Sequence, residues 1–307
     1  MSTQAKVIVP KKKKHRFSLM STIIVILVVI FAILVLLPVL NVFSEAVSSL
    51  GYVMTGAVTF WPKGFQLDTV RYVLGRSEFQ SAIRVTLTVT LAGTALAMFL
   101  TVTAAYPLSK PHLKGRKVFL YMYVIVMLFG AGMVPNYLLY RSLNLTNTIW
   151  ALIFSGAFSV YNMFIVKNYM ESLPEAVEES AMLDGAGNIT ILTRIVLPMS
   201  LPVLATMTLF YAVGYWNSYF AGVMYITKPS LKPLQQYLLD LVNATSNSTD
   251  NQMMNSSNQD LAEQIANMGG RGMQAATITL SMLPIMCVYP FLQKYFVKGI
   301  TIGSVKG

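Results

Sequence analysis

Charge is scarce in this 307-residue chain: 11% of residues are Asp, Glu, Lys or Arg, against about 25% in an ordinary soluble domain. With 55% hydrophobic residues beside that shortage, water is not the main solvent of the chain. Cysteine is nearly absent too. The single Cys287, set among Leu, Met and Val, excludes an intrachain disulfide and reads as filler rather than redox chemistry. Only two histidines occur, His15 and His112, both close to lysines, which excludes a histidine metal site or a His-based triad. Gly is never followed by Lys, so no G-x4-G-K-[ST] phosphate loop exists, and GAGMVP at Gly130 and GAGNIT at Gly185 lack the third glycine of G-x-G-x-x-G. A chain without these elements does not hydrolyse ATP; any energy it uses comes from a partner.

What is present is a series of charge-free runs: Phe17–Ser44, Val85–Ser109, Val118–Tyr140, Ser142–Val166, Ile195–Thr227 and Gly272–Gln293. About 20 apolar residues span the hydrocarbon core as a helix, and lipid offers no partner to an open backbone. The expected fold class is therefore all-α, a polytopic membrane protein with six transmembrane helices. The first run is longer than the h-region of a signal peptide and reads as a retained helix, 17–44. No Asp, Glu, Lys or Arg lies in any run, whereas proton- or ion-coupled carriers and charged-ring channels place such residues in the membrane. Arg84, at the edge of the second run, reads as a snorkelling residue.

The net charge of +11 invites a nucleic-acid reading, but its placement suits a membrane. If the N-terminus is cytoplasmic, 15 of the 23 basic residues fall on that side, among them Lys11 to Lys14, Lys110, Lys114 and Arg116. This bias predicts cytoplasmic N- and C-termini. The expected organisation is a basic cytoplasmic arm over 1–16, an extracellular segment over 45–84, a core of five helices over 85–297, and a cytoplasmic tail over 298–307. Within the core lie a cytoplasmic loop, 167–199, and an extracellular loop, 228–271. In 45–84, Phe60, Trp61 and Tyr72 suit an aromatic belt or a short helix lying on the membrane surface. The stretch NATSNSTDNQMMNSSNQD is polar and is expected to be partly mobile; its two sequons carry little weight. Gly130, Gly132 and Pro135 either let helices approach closely or break the third helix beside a cavity.

The loop 167–199 has a physical reading of its own. Ser172-x-x-Glu175 suggests a capping box, with Pro174 in the first turn. Glu175, Glu178 and Glu179 complement the dipole of the helix that follows. Leu173, Val177 and Ala181 form one apolar stripe, and Gly185 is the natural left-handed stop. A second short helix with Ile189, Leu192 and Ile195 leads to Pro198, which opens the fifth span. Five acids against one lysine in its first half make this loop a poor fit to an anionic leaflet and a better fit to a protein groove.

Glu179-Ser180-Ala181, then Gly185, then Ile195 and Leu197-Pro198 form the pattern EAA-x3-G-x9-I-x-LP with Ser180 as its one departure. The pattern resembles the coupling loop of permease subunits in binding-protein-dependent ABC importers. The segment FWPKGF, the six runs and the ending YFVKGITIGSVKG extend the resemblance over nearly the whole chain. They are similar to the smaller permease of the maltose-type carbohydrate uptake family, in its oligosaccharide subgroup, which includes importers of uronate-containing chains. The resemblance implies a type I importer permease fold, with no cofactor bound by this chain and ATP and Mg held by partners. The implied partners are a homologous second permease, two ATP-binding subunits, an extracellular solute-binding protein and an oligosaccharide. It further implies that Glu178, Glu179, Ser180, Ala181, Asp184, Gly185, Ile195, Leu197 and Pro198 make or shape the ATPase contact, and that Gly299 to Gly307 reach toward the ATPases. An ATP-independent carrier or channel and a membrane scaffold are the rival classes.

Sugars present an apolar face and a polar rim, so aromatic rings with amide and hydroxyl neighbours are the candidate pathway. Helix five offers Tyr211, Tyr215, Trp216, Asn217 and Tyr219, and helices three and four add Asn136, Tyr137, Tyr161 and Asn162. Asn217 is the strongest single candidate, because an amide in hydrocarbon needs a polar neighbour or water. The competing reading of the tyrosine stripe is helix packing.

Overall fold

The computed structural model describes residues 19–247 and 270–303, and among them every regular element is helical. The basic N-terminal arm, most of the Asn/Ser-rich stretch and the last four residues lie outside the described residues. α1 (Leu19–Ala46) is about 42 Å long at 1.5 Å per residue, more than the roughly 30 Å of a bilayer's hydrocarbon. It carries buried residues only at its end, Ser44, Glu45 and Ala46, and leans on the last helix, α15 (Gly270–Gly303). Two short helices, α2 (Leu50–Met54) and α3 (Asp68–Gly75), follow.

The chain between α2 and α3 folds back along the end of α1. Asn41 donates to the Thr59 carbonyl at 2.7 Å, Ser44 to that of Phe60 at 2.8 Å, and the Lys63 amide donates to Ser48 Oγ at 3.0 Å. These bonds hold Phe60 and an 80%-exposed Trp61 level with the end of the apolar run of α1.

α4 (Ser77–Ser109) is the axis of the fold, and α3 and several of the helices that follow pack against it. It begins eight residues before the apolar run, because Ser77–Arg84 contains no Gly or Pro to stop a helix; Arg84 therefore lies inside it and donates to the Gln80 carbonyl. The third run is not one helix. α5 (Arg116–Leu128) and α6 (Met133–Ser142) meet at 109°, at a break where Gly132 adopts φ +86°, so of the two readings of the Gly130–Pro135 cluster the structure takes the broken helix. The fourth run is likewise divided into α7 (Ile149–Phe154) and α8 (Val160–Glu171). Among the described residues two helices, α1 and α4, are long and apolar enough to cross a membrane, or four spans if each bent pair counts as one.

Two local expectations need correction. Ser172 is not the cap of a box: it ends α8, its hydroxyl donates back to the Tyr169 carbonyl at 2.7 Å, and α9 (Glu175–Leu183) starts after Pro174 without a side-chain cap. Pro198 does not open the fifth span either. α10 (Asn188–Ile191), a π turn over Leu192–Val196 and α11 (Leu197–Met199) run together into an 82° bend, and α12 (Leu201–Trp216) starts beyond it. Pro198 and Pro202 each lack the amide hydrogen that would close an i→i−4 bond, and their rings crowd the preceding turn, so the helix breaks between them. After α12 come α13 (Phe220–Tyr225) and α14 (Leu234–Asn247).

Candidate functional site: a knob and a cavity

The knob is the hairpin α9–Gly185–α10. Gly185 has φ +83°, a left-handed residue that costs a side-chain-bearing residue roughly 1–2 kcal/mol. Its amide donates to the Met182 carbonyl at 3.0 Å, and the Ala186 amide to that of Ala181 at 2.9 Å. This pair of bonds is a Schellman closure, which satisfies the last carbonyls of α9 and fixes the angle at which α10 leaves. Nothing lies within 4 Å of where a Cβ on Gly185 would stand.

The knob presents an apolar tip. Leu183 is 90% exposed and Ile189 79%, beside exposed Val177 and Met182. Glu175, Glu179, Ser180 and Asp184 are exposed around them, and Pro198 is exposed further along; Ala181, Ile195 and Leu197 are half-buried, and Ala181 and Leu197 pack against the core that holds the hairpin to the body. Glu178 alone among the loop's predicted contact residues is a buried acid, and it accepts from Lys110 at the end of α4. A second clasp lies at the base of the loop. Glu171 pairs with Lys167 and, at 2.6 Å, with Arg116, whose Nε also donates to the Leu108 carbonyl. The hydrogen bond from Lys167 is the main reason the Glu171 carboxyl is held below its ordinary range, with Arg116 adding to it.

A cavity of about 480 Å³ lies between the broken third and fourth runs and α12. Its wall carries Asn136, Ser155, Ser159, Asn162, Ser218 and the rings of Tyr211, Tyr215 and Tyr225 and, among the described residues, no Asp, Glu, Lys or Arg. Tyr211 shares a hydrogen bond with Thr101 Oγ1 at 2.7 Å and accepts from the Ser159 amide at 3.1 Å. Tyr215 donates to the Ile153 carbonyl at 2.6 Å. Both rings thus brace the cavity wall as well as facing it.

Four of the nine pathway candidates meet here: Asn136, Asn162, Tyr211 and Tyr215. Tyr137 stacks parallel to Tyr225 at 6.4 Å, and Tyr161 and Tyr219 are exposed elsewhere. Trp216 is buried among Phe79, Leu234, Tyr237 and Met273, with no hydrogen-bond partner for Nε1 among the described residues. Asn217 caps the end of α12 and is exposed outside the cavity. Sequence reasoning missed Ser155, Ser159, Ser218 and Tyr225. The signal for the first two was the sequence SGAFS, which interrupts an otherwise apolar run. Asn147, in the turn before α7, is a further residue that holds this region in place. At φ +60° its Oδ1 accepts from the amides of Thr227 and Lys228, pinning the chain after α13, whose Tyr225 stacks on Tyr140 at 4.3 Å.

Comparison with known proteins bears on both features. LplC of Bacillus subtilis (strain 168) is 40% identical over 272 residues, 89% of this chain and 90% of that protein. The polygalacturonan/rhamnogalacturonan transport system permease protein YtcP of the same organism is 36% identical over 277 residues, 90% of this chain and 94% of its own. A chain of a bacterial ABC transporter involved in the import of the acidic polysaccharide alginate shares the fold at a TM-score of 0.82 and 29% identity, over 94% of this chain and all of that one. A family described as binding-protein-dependent transport system inner membrane component matches residues 8–302, knob and cavity included, and to that family the chain belongs.

Proposed function

We propose that this chain is a membrane-spanning permease subunit of an ATP-driven importer of oligosaccharides, crossing the membrane six times with both termini in the cytoplasm. The observation that carries the reading is the knob. A rigid, Gly-reversed hairpin displays Leu183 and Ile189 to the surroundings within a ring of acids, which is a surface shaped for a protein groove. Two ATP-binding subunits hold ATP and Mg and take the knobs of this chain and of a homologous second permease into their clefts. ATP-driven closure draws the knobs together and opens the cavity outward, toward a solute-binding protein; hydrolysis and release return it inward.

The cavity supports a polyhydroxylated cargo. Asn136 and Asn162 offer amides to hydroxyl groups, and the tyrosine rings offer faces to the apolar side of a pyranose. The relatives point the same way, since YtcP is named for polygalacturonan and rhamnogalacturonan and the similar structure for alginate. The test is native mass spectrometry of the particle obtained by co-expressing the four kinds of subunit. A mass equal to this chain, a second permease and two ATPases supports the reading. A lone chain or homo-oligomer beside unbound ATPases refutes it.

A further inference from the structure

Both halves of the knob are tied to the same turn of α4. Lys110, which closes α4, sends its ammonium into the carboxylate of Glu178 on α9 and lies 4.8 Å from the centre of the Tyr106 ring. Tyr106 in turn donates to the main-chain carbonyl of Asn188, the first residue of α10, at 3.4 Å. The Glu178 side chain keeps 11% of its exposure, and a carboxylate so placed is tolerable only while paired, so this contact fixes where the knob stands. Nine residues up the same helix, about 14 Å, Thr101 holds Tyr211, and Tyr211 holds the Ser159 amide at the cavity wall. A continuous set of contacts therefore runs from knob to cavity through α4.

We infer that Lys110 and Tyr106 are the positioning residues through which a displacement of the knob moves α4 and, by way of Thr101 and Tyr211, the cavity wall. This rests on the knob being the part that the ATPase subunits move. Neither residue touches ATP or sugar; each acts by holding Glu178 and Asn188. The linkage is a charge pair and a hydroxyl-to-carbonyl hydrogen bond between segments 68 and 82 residues apart in sequence.

The experiment uses the complete importer in proteoliposomes and reads sugar taken up per ATP hydrolysed. Lys110→Met is expected to lower that ratio about tenfold, within the usual range of coupling between sites. The reversed pair, Lys110→Glu with Glu178→Lys, is expected to restore most of it, and a role in which either charge acts without the other would not predict recovery. An unchanged ratio in Lys110→Met, or a reversed pair as poor as the single variant, overturns the linkage. Should Lys110→Met fail to assemble, spin labels at Ala176, in the exposed first turn of α9, and at Leu91 decide the matter in a cysteine-adjusted but otherwise native complex. A separation that stays fixed through ATP binding supports rigid transmission, and one that changes overturns it. The native mass of the wild-type particle separates two failures: absent ATPases refute the role of the knob, whereas bound ATPases with a normal Lys110→Met ratio refute only the linkage.

Discussion

Tyr215 of α12 lies so close to Gly93 of α4 that a Cβ on Gly93 would stand 2.5 Å from the ring's Cζ. Gly156 flanks the same ring, where a Cβ would be 3.0 Å away. The ring is thus held between two positions without side chains, and its hydroxyl is anchored on the Ile153 carbonyl. Gly93→Ala should destabilise the chain by about 1–3 kcal/mol through overpacking, and Tyr215→Phe by about 1 kcal/mol through the lost hydrogen bond. Thermal unfolding in detergent checks the order. Equal stability of Gly93→Ala and wild type would contradict the packing described.

At Gly185 two effects can be separated, because space around it is open while its φ is positive. Gly185→Ala should cost only the backbone strain, about 1 kcal/mol, and leave most assembly with ATPases intact. Gly185→Arg adds a long cation to the exposed tip and should abolish assembly. Pull-down of the ATPases by the two variants is the measurement. Identical capture would remove the docking role.

Asn162 lies in the cavity wall, whereas Asn217 stands outside it. Asn162→Leu should therefore reduce uptake more than Asn217→Leu, by about tenfold if one hydrogen bond to sugar is lost. Initial rates at subsaturating sugar, with complex mass verified, give the comparison. The reverse order would move the pathway toward the far end of α12.

Acid should loosen the clasp at Glu171. Its carboxyl titrates below the unfolded value, first because of Lys167 and then Arg116, so the stabilisation is fully present above the ordinary carboxylate range. It is lost as the pH falls through the lowered value. The melting temperatures of wild type and Glu171→Gln should differ near neutrality and converge on acidification. A gap that persists at low pH would show that the pair contributes nothing through its charge.

Trp61 is fixed level with the end of the apolar run of α1 by the bonds from Asn41 and Ser44. Its fluorescence, isolated by Trp150→Phe and Trp216→Phe, should be quenched more by lipids labelled near the headgroup than by lipids labelled deep in the chain. Quenching by aqueous acrylamide alone would place it in water.

Much of the knob was legible because local chemistry decides it. A left-handed stop after an apolar stripe calls for glycine, and Gly185 supplies it. The bend at Ser200 was half legible, since prolines mark a break without saying on which side the next helix starts. The tyrosine stripe had the right period, but periodicity cannot tell a ring that faces cargo from one wedged against Gly93. Ser155 and Ser159 interrupt an apolar run, and only the division of α7 from α8 turns them into a cavity edge. Lys110 and Glu178 were both noticed, yet only the folded chain shows them paired.

α5 and α6 contain no buried residue, although Met133 and Asn136 of α6 line the cavity. Their apolar faces must be covered by lipid or by another protein before the chain reaches its working shape. A melting temperature measured on this subunit alone is therefore a property of its company as much as of its sequence, and should rise with the concentration of whatever binds those faces. For a cell, such a subunit made in excess of its partner is an unfinished object, exposed to the proteases that remove orphan membrane chains.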